Sequence, residues 1–174
     1  ITQEEADGYC QYGDNSDADR SIMKKLGFDF NWACTVSGDV NLRPPFPEKI
    51  LEEHEDGSQV IRDSQGLIVM VKPGIVSIPS EIGTTLVDRE TWEKEYLPRL
   101  QWETGRVDKR VFEELKTVEG RQTPVGLHCG SLIGYMRNLL GVEQLSYLYA
   151  DDEDLYVEII DTLAGLCYHC TKEI

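Results

Sequence analysis

The sequence has no run of about 18 uninterrupted apolar residues, so no segment reads as a membrane span. Basic residues are scarce: 17 Lys and Arg stand against 32 Asp and Glu, for a net charge of −15. A surface this acidic repels phosphate backbones and anionic lipid, and no Lys/Arg stripe offsets it. Nucleic acid and membranes are therefore not expected partners. Cysteine is sparse and odd in number, with Cys10, Cys34, Cys129, Cys167 and Cys170 scattered along the chain. That is not a secreted disulfide framework, and a reducing cytoplasm fits it. Glycine-rich phosphate loops, a G-x-S-x-G elbow and an H-E-x-x-H helix are all missing, which removes the nucleotide-binding, serine-hydrolase and zinc-protease signatures. No signal-peptide pattern opens the chain, and its start at Ile1 rather than Met leads us to expect a longer protein.

What remains is enough for a folded domain: 174 residues, 40% of them hydrophobic. Residues 1–20 are polar and rich in Gly, Asp and Asn, and read as irregular. Asp19 to Leu26 fits a short helix stopped by Gly27. Phe28 to Val36 (FDFNWACTV) is rich in aromatic and β-branched residues and reads as a strand. Three prolines in the four positions Pro44 to Pro47 force an extended connection. Ser58 to Lys72 carries two β-prone arms around Asp63-Ser64-Gln65-Gly66 and predicts a hairpin. The following GIVSIPSEIG reads as extended. Asp88 reads as the N-cap of a helix over DRETWEKEYLPRL that Pro98 ends or kinks. A polar helix is expected from Asp108 to Thr117.

The texture changes at TPVGLHCGSLIGYMRNLLG (Thr123 to Gly141). Here VGLHC predicts a short buried strand, SLIGYMRNLLG a helix, VEQLSYLYA a shorter helix, and Asp151 to Ile174 a long one. In the last, Tyr156, Ile159, Ile160, Leu163, Cys167, Cys170 and Ile174 form one apolar stripe. Asp151 to Asp154 crowd its start, where the helix dipole favours negative charge, so the acidic run reads as a helix start rather than a metal site. Strand–turn–helix order predicts a parallel α/β layout, in which sites lie at the carboxyl ends of the strands.

That rule selects His128, Cys129 and Ser131 as pocket-facing. Gly130 allows the tight turn, and the helix start offers N–H groups to an anion. The competing reading is a satisfied polar residue, a small core filler and a simple N-cap. Arg137 either clamps a substrate carboxylate or points to solvent and pairs with an acid such as Glu143. Cys167-x-x-Cys170 has metal-like letters, but both cysteines fall on the apolar stripe and no second pair completes a zinc set. No metal ligand is assigned. Trp32, Trp92 and Trp102 read as core or interface aromatics.

The stretch PVGLHCGSLIGYMRNLLGVEQLSYLYADDEDLYVEIIDTL resembles the uroporphyrinogen decarboxylase superfamily, which includes porphyrinogen decarboxylases and cobalamin-linked methyltransferases. The likeness rests on the small-residue turn Gly130–Ser131, on Leu139-Leu140-Gly141, on the aromatic segment Leu145–Tyr149, and on the D-D-x-x-L start of Asp151–Leu155. Upstream, Leu26–Asp29, Pro44–Phe46, the hairpin around Asp63–Gly66 and IPSEIGTTLVDRETWEK follow the order of the methyltransferase-like branch.

The resemblance implies the N-terminal portion of a TIM (β/α)₈ barrel with an added β-hairpin. A closed barrel takes about 250 residues, so it is incomplete in this chain. Residues 1–122 would supply the N-terminal extension, first strand, hairpin and linker helices. Residues 123–174 would supply a strand–helix–helix barrel unit of the same domain. Function follows as corrinoid-linked methyl transfer by the full-length protein, with this chain alone expected to be inactive, and with a porphyrinogen decarboxylase or a non-catalytic binding or assembly module as alternatives.

No cofactor site is expected in this chain alone, but for a full-length protein the resemblance implies zinc and a corrinoid. The implied partners are a small-molecule substrate, a corrinoid protein, and the remainder of the barrel or a second copy. The decarboxylases line their pocket with an early Arg loop, which has no match here, and with an Asp, for which Asp39 is nearest in order. Their pocket Tyr falls on Arg137, which disfavours decarboxylation.

Overall fold

The computed structural model describes residues 25–27, 35–72, 74, 79–110, 126–128 and 130–174. The chain divides into two compact units, one of Ile1–Val36 with Val118–Leu127, the other of Ser37–Thr117 with His128–Ile174. The architecture is mixed α/β with parallel and antiparallel sheets, and no closed barrel forms among the described residues.

In the first unit, β1 (Thr35–Ser37) lies beside β6 (Gly126–His128) in a two-stranded parallel sheet. Each strand runs out of this unit at its last residue. β1 is the end of the strand expected over Phe28 to Val36, the rest of which lies outside the described residues. Lys25 and Leu26 are helical and Gly27 follows with φ 73°, while the earlier part of that expected helix lies outside. The expectation that VGLHC is a buried strand needs correction. Gly126 is buried, but Leu127 and His128 are exposed.

The second unit holds a four-stranded antiparallel sheet in sequence order: β2 (Lys49–Glu53), β3 (Gln59–Arg62), β4 (Leu67–Val71) and β5 (Ser80–Thr84). β3 and β4 are the expected hairpin. Asp63 fixes its turn by accepting the Gln65 and Leu67 N–H groups at 2.8 and 2.9 Å. Leu67 and Val69 alternate inward, so one face of β4 is buried. β2 is a strand the sequence did not announce, exposed along its whole length and held by its ladder to β3.

Asp88 does cap the next helix, accepting the Thr91 N–H at 2.8 Å. That helix, α1 (Arg89–Thr91), loosens into a π turn (Trp92–Tyr96) and tightens into a 3₁₀ turn (Leu97–Leu100). Pro98 thus changes the winding rather than ending it, since a residue without N–H is tolerated at the start of a new turn. Only the first residues of the polar helix expected from Asp108 are described, Lys109 and Arg110 being helical.

α2 (Leu132–Asp151) is broken at Gly141, with φ 73° and ψ 171°, so the two expected helices are its two segments. α3 (Glu153–Glu173) starts at Asp152, whose carboxylate accepts the Leu155 N–H at 2.9 Å. Its stripe meets the core as read from spacing: Ile159, Leu163, Cys167 and Cys170 are buried, and Tyr156, Ile160 and Ile174 pack against them. Trp92, Tyr96, Met136 and Leu140 complete the centre of this core.

Candidate functional site

Two turns of the second unit follow the parallel strands, and both rest on α3. After β1, Gly38 lies so close to Cys170 that a Cβ on it would collide with the cysteine side chain. After β6, Gly130 has φ 102°, and a Cβ there would fall 2.7 Å from Cys167 Sγ and 3.0 Å from the Tyr135 ring. Cys167 and Cys170 are one helical turn apart on α3. The C-x-x-C spacing is therefore a pair of small buried seats for two glycine turns. Burial raises the Cys170 pKa and keeps its thiol protonated. The sulfur lies 3.9 Å from the Asp39 carbonyl.

The expected site residues gather only in part. His128 is exposed, with Nε2 3.4 Å from the Tyr135 hydroxyl. Burial raises the Tyr135 pKa and favours the neutral phenol. Ser131 occupies the N-cap position, and its carbonyl accepts the Tyr135 N–H at 2.8 Å. Its side chain makes no capping bond, which corrects the expectation of an N-cap hydroxyl. Cys129 lies outside the described residues. Arg137 is exposed on α2, 3.5 Å from Asn138 Oδ1, and forms no ion pair with Glu143, whose carboxylate accepts the Tyr147 hydroxyl at 3.2 Å. His128 and Tyr135 thus form a pair at the turn, and Arg137 stands apart on the same helix.

On the β1 side, partial burial opposes ionisation of Asp39. Hydrogen bonds from Arg43 (2.7 Å) and Asn41 (3.0 Å) outweigh it and hold the carboxyl below the usual aspartate value. Arg43 also reaches Glu103 at 3.0 Å. Behind this loop lies a residue that the sequence gave no reason to select. Arg106 is 2% exposed and donates to four backbone carbonyls: Gln101, Asp39, Asn41 and Arg99, at 2.6–2.9 Å. Burial lowers its pKa, and among the described residues no carboxylate forms an ion pair with it. Its role is to fix the loop after β1.

A separate cleft of about 630 Å³ lies between β5 and the break in α2. An extra residue, Ile82, bulges from β5 where Ile68 pairs with Gly83 and Val69 with Glu81. Three positions along a regular strand put side chains on opposite faces; the bulge turns Glu81 and Thr84 both towards the helix. Glu81 Oε2 accepts the Val142 N–H at 3.0 Å, and the buried Thr84 hydroxyl donates to the Leu139 carbonyl at 2.6 Å. Strand β5 therefore supplies the caps that the break at Gly141 requires. None of His128, Ser131 or Arg137 lines this cleft. A glycine inside a helical pattern signalled the break, but nothing local signalled caps arriving from 55 and 61 residues away.

Among the described residues no three His, Cys, Asp or Glu side chains converge to hold a metal. The zinc implied by the resemblance thus has no fitting ligand set among these residues. No helix among the described residues is long and apolar enough to cross a membrane. Trp92 is a core residue whose indole N–H donates to Glu158 at 2.9 Å, and Trp102 stacks on His169 with centroids 5.6 Å apart. Trp32 lies outside the described residues. No protein-family model, curated protein or solved structure matches the chain.

Proposed function

We propose that this chain is the opening part of a uroporphyrinogen decarboxylase-like (β/α)₈ barrel whose protein moves a methyl group to or from a corrinoid or thiol. The supporting observation is the parallel pairing of β1 with β6 across a long antiparallel insertion. Adjacent parallel strands with glycine exits, followed by a helix that breaks at Leu139-Leu140-Gly141, are what the first strands of such a barrel require.

The chain's own residues would work at the rim. Arg137 presents an exposed planar cation suited to a substrate carboxylate. His128, hydrogen-bonded to the Tyr135 phenol, can hold or accept a proton at the strand exit. Gly38 and Gly130 keep both exits low against α3, and Arg106 keeps the loop after β1 rigid.

The test is incubation of the purified full-length protein with methylcobalamin and a small thiol, following demethylation of the corrinoid in the visible spectrum. Parallel assays measure carbon dioxide release from a carboxylated porphyrinogen and zinc by elemental analysis. Corrinoid demethylation with thioether formation is the expected result. Porphyrinogen decarboxylation without methyl transfer would select the decarboxylase instead. Neither activity would leave an assembly module and overturn the proposal.

A further inference from the structure

We infer that the cleft between β5 and the break in α2 receives a short, extended, basic segment of another polypeptide, which adds to the open edge of β5 as a fifth strand. This stands independently of the methyl-transfer reading. β5 is the last strand of its sheet, so among the described residues no strand lies against one side of its backbone. The consecutive residues Glu81 to Thr84 all line the cleft. The bulge at Ile82 interrupts the side-chain alternation, so consecutive residues of β5 line one wall. Gly83 leaves its face of β5 open beside the cleft, since a Cβ there would meet nothing within 4 Å.

The chemistry of the walls selects the occupant. Ile82, Val87, Val142 and Tyr147 line the cleft, and each is at least 50% exposed, an apolar surface that an added strand would cover. The charged side chains among the lining residues are Glu81 and Glu143, both acidic. Each is engaged through one oxygen, by the Val142 N–H and the Tyr147 hydroxyl respectively, and offers the other to a cation. Backbone pairing sets register, apolar burial supplies affinity, and two carboxylates select Lys or Arg. A second copy of this chain is disfavoured because each carries a net charge of −15. The bulge at Ile82 and the length of β5, Ser80–Thr84, restrict the addition to a short segment.

The experiment uses a terminally blocked, fluorescein-labelled peptide of alternating lysine and valine, with a glutamate–valine peptide as control, at physiological salt. Polarisation reports binding and amide hydrogen exchange reports its place. The lysine–valine peptide is expected to bind and to slow exchange across residues 80–84, while the control does not bind. Ile82→Lys and Glu143→Lys, both at exposed positions, are each expected to weaken binding about tenfold. Circular dichroism checks their fold, and Val87→Lys replaces either variant that fails it. Absence of binding would overturn the inference. So would binding that survives these substitutions without slowed exchange in β5, since it would then be general charge attraction to an acidic surface.

Discussion

Arg106 is the residue on which the loop after β1 depends most heavily. Its guanidinium satisfies four carbonyls at once in a place closed to water. Arg106→Ala should therefore cost about 3 kcal/mol or more, read as a lower urea midpoint. Arg106→Lys, with three donors on one nitrogen, should recover only part of that. The glycine turns make a second residue-level prediction. Gly130→Ala should destabilise by about 1–3 kcal/mol through overpacking and backbone strain. In a Cys167→Ala background the penalty should shrink, because the sulfur that the new Cβ would strike is gone. A double-mutant cycle by urea denaturation measures that coupling. If the two substitutions simply add, the packing account of Cys167 is wrong.

Glu158 gives a prediction in pH. The Arg89 guanidinium at 2.6 Å, then the Trp92 indole at 2.9 Å, lower its pKa in the folded state. A carboxyl whose folded pKa is depressed contributes stability above its unfolded pKa and loses it as pH falls through the folded value. Acidification through the glutamate range should therefore weaken α1–α3 docking. The Trp92 indole N–H resonance should titrate with a midpoint below that of an ordinary glutamate, and Arg89→Ala should move the midpoint upwards.

Among the elements, the broken helix α2 shows how far a sequence can be read. Helix, glycine and second helix were all visible in SLIGYMRNLLGVEQLSYLYA, because helical spacing and the Gly141 punctuation are local signals. The caps were not visible. Glu81 and Thr84 reach the break from a strand, and they share a face only because Ile82 bulges. Thr84→Val should cost about 1–3 kcal/mol, since it strands the Leu139 carbonyl and the Leu86 N–H that the hydroxyl serves. Gly141→Ala should cost about as much, because φ 73° with ψ 171° is a region that only glycine occupies readily. Thermal denaturation of both variants tests this, and a neutral Thr84→Val would show that β5 does not hold the break.

The same division between local and distant causes explains the other elements. α3 was legible in full, because its stripe repeats with helical period and its acidic start is a cap signal. The hairpin was legible because Asp63 and Gly66 mark the turn. β2 was not, because Lys49–Glu53 is exposed on both faces and follows a proline run, leaving no alternation to see. Its strand character comes from pairing with β3. For Ser131 the position was read correctly and the hydroxyl's role was not, since a capping residue type does not dictate a capping bond.

For the molecule as a whole, the parallel β1–β6 pair and its two glycine exits are the features on which the proposed activity rests. At the carboxyl end of β6 the expected side chains come together only in part. His128 meets Tyr135 there, while Arg137 stands separately on α2 and Ser131 contributes its backbone. The most direct test is methyl transfer between methylcobalamin and a small thiol by the full-length protein, compared for the wild type, Arg137→Ala and His128→Ala. The account predicts turnover by the wild type and a loss of about tenfold or more in each variant, with unchanged circular dichroism. Absence of methyl transfer in the wild type, or equal rates in all three, would contradict it.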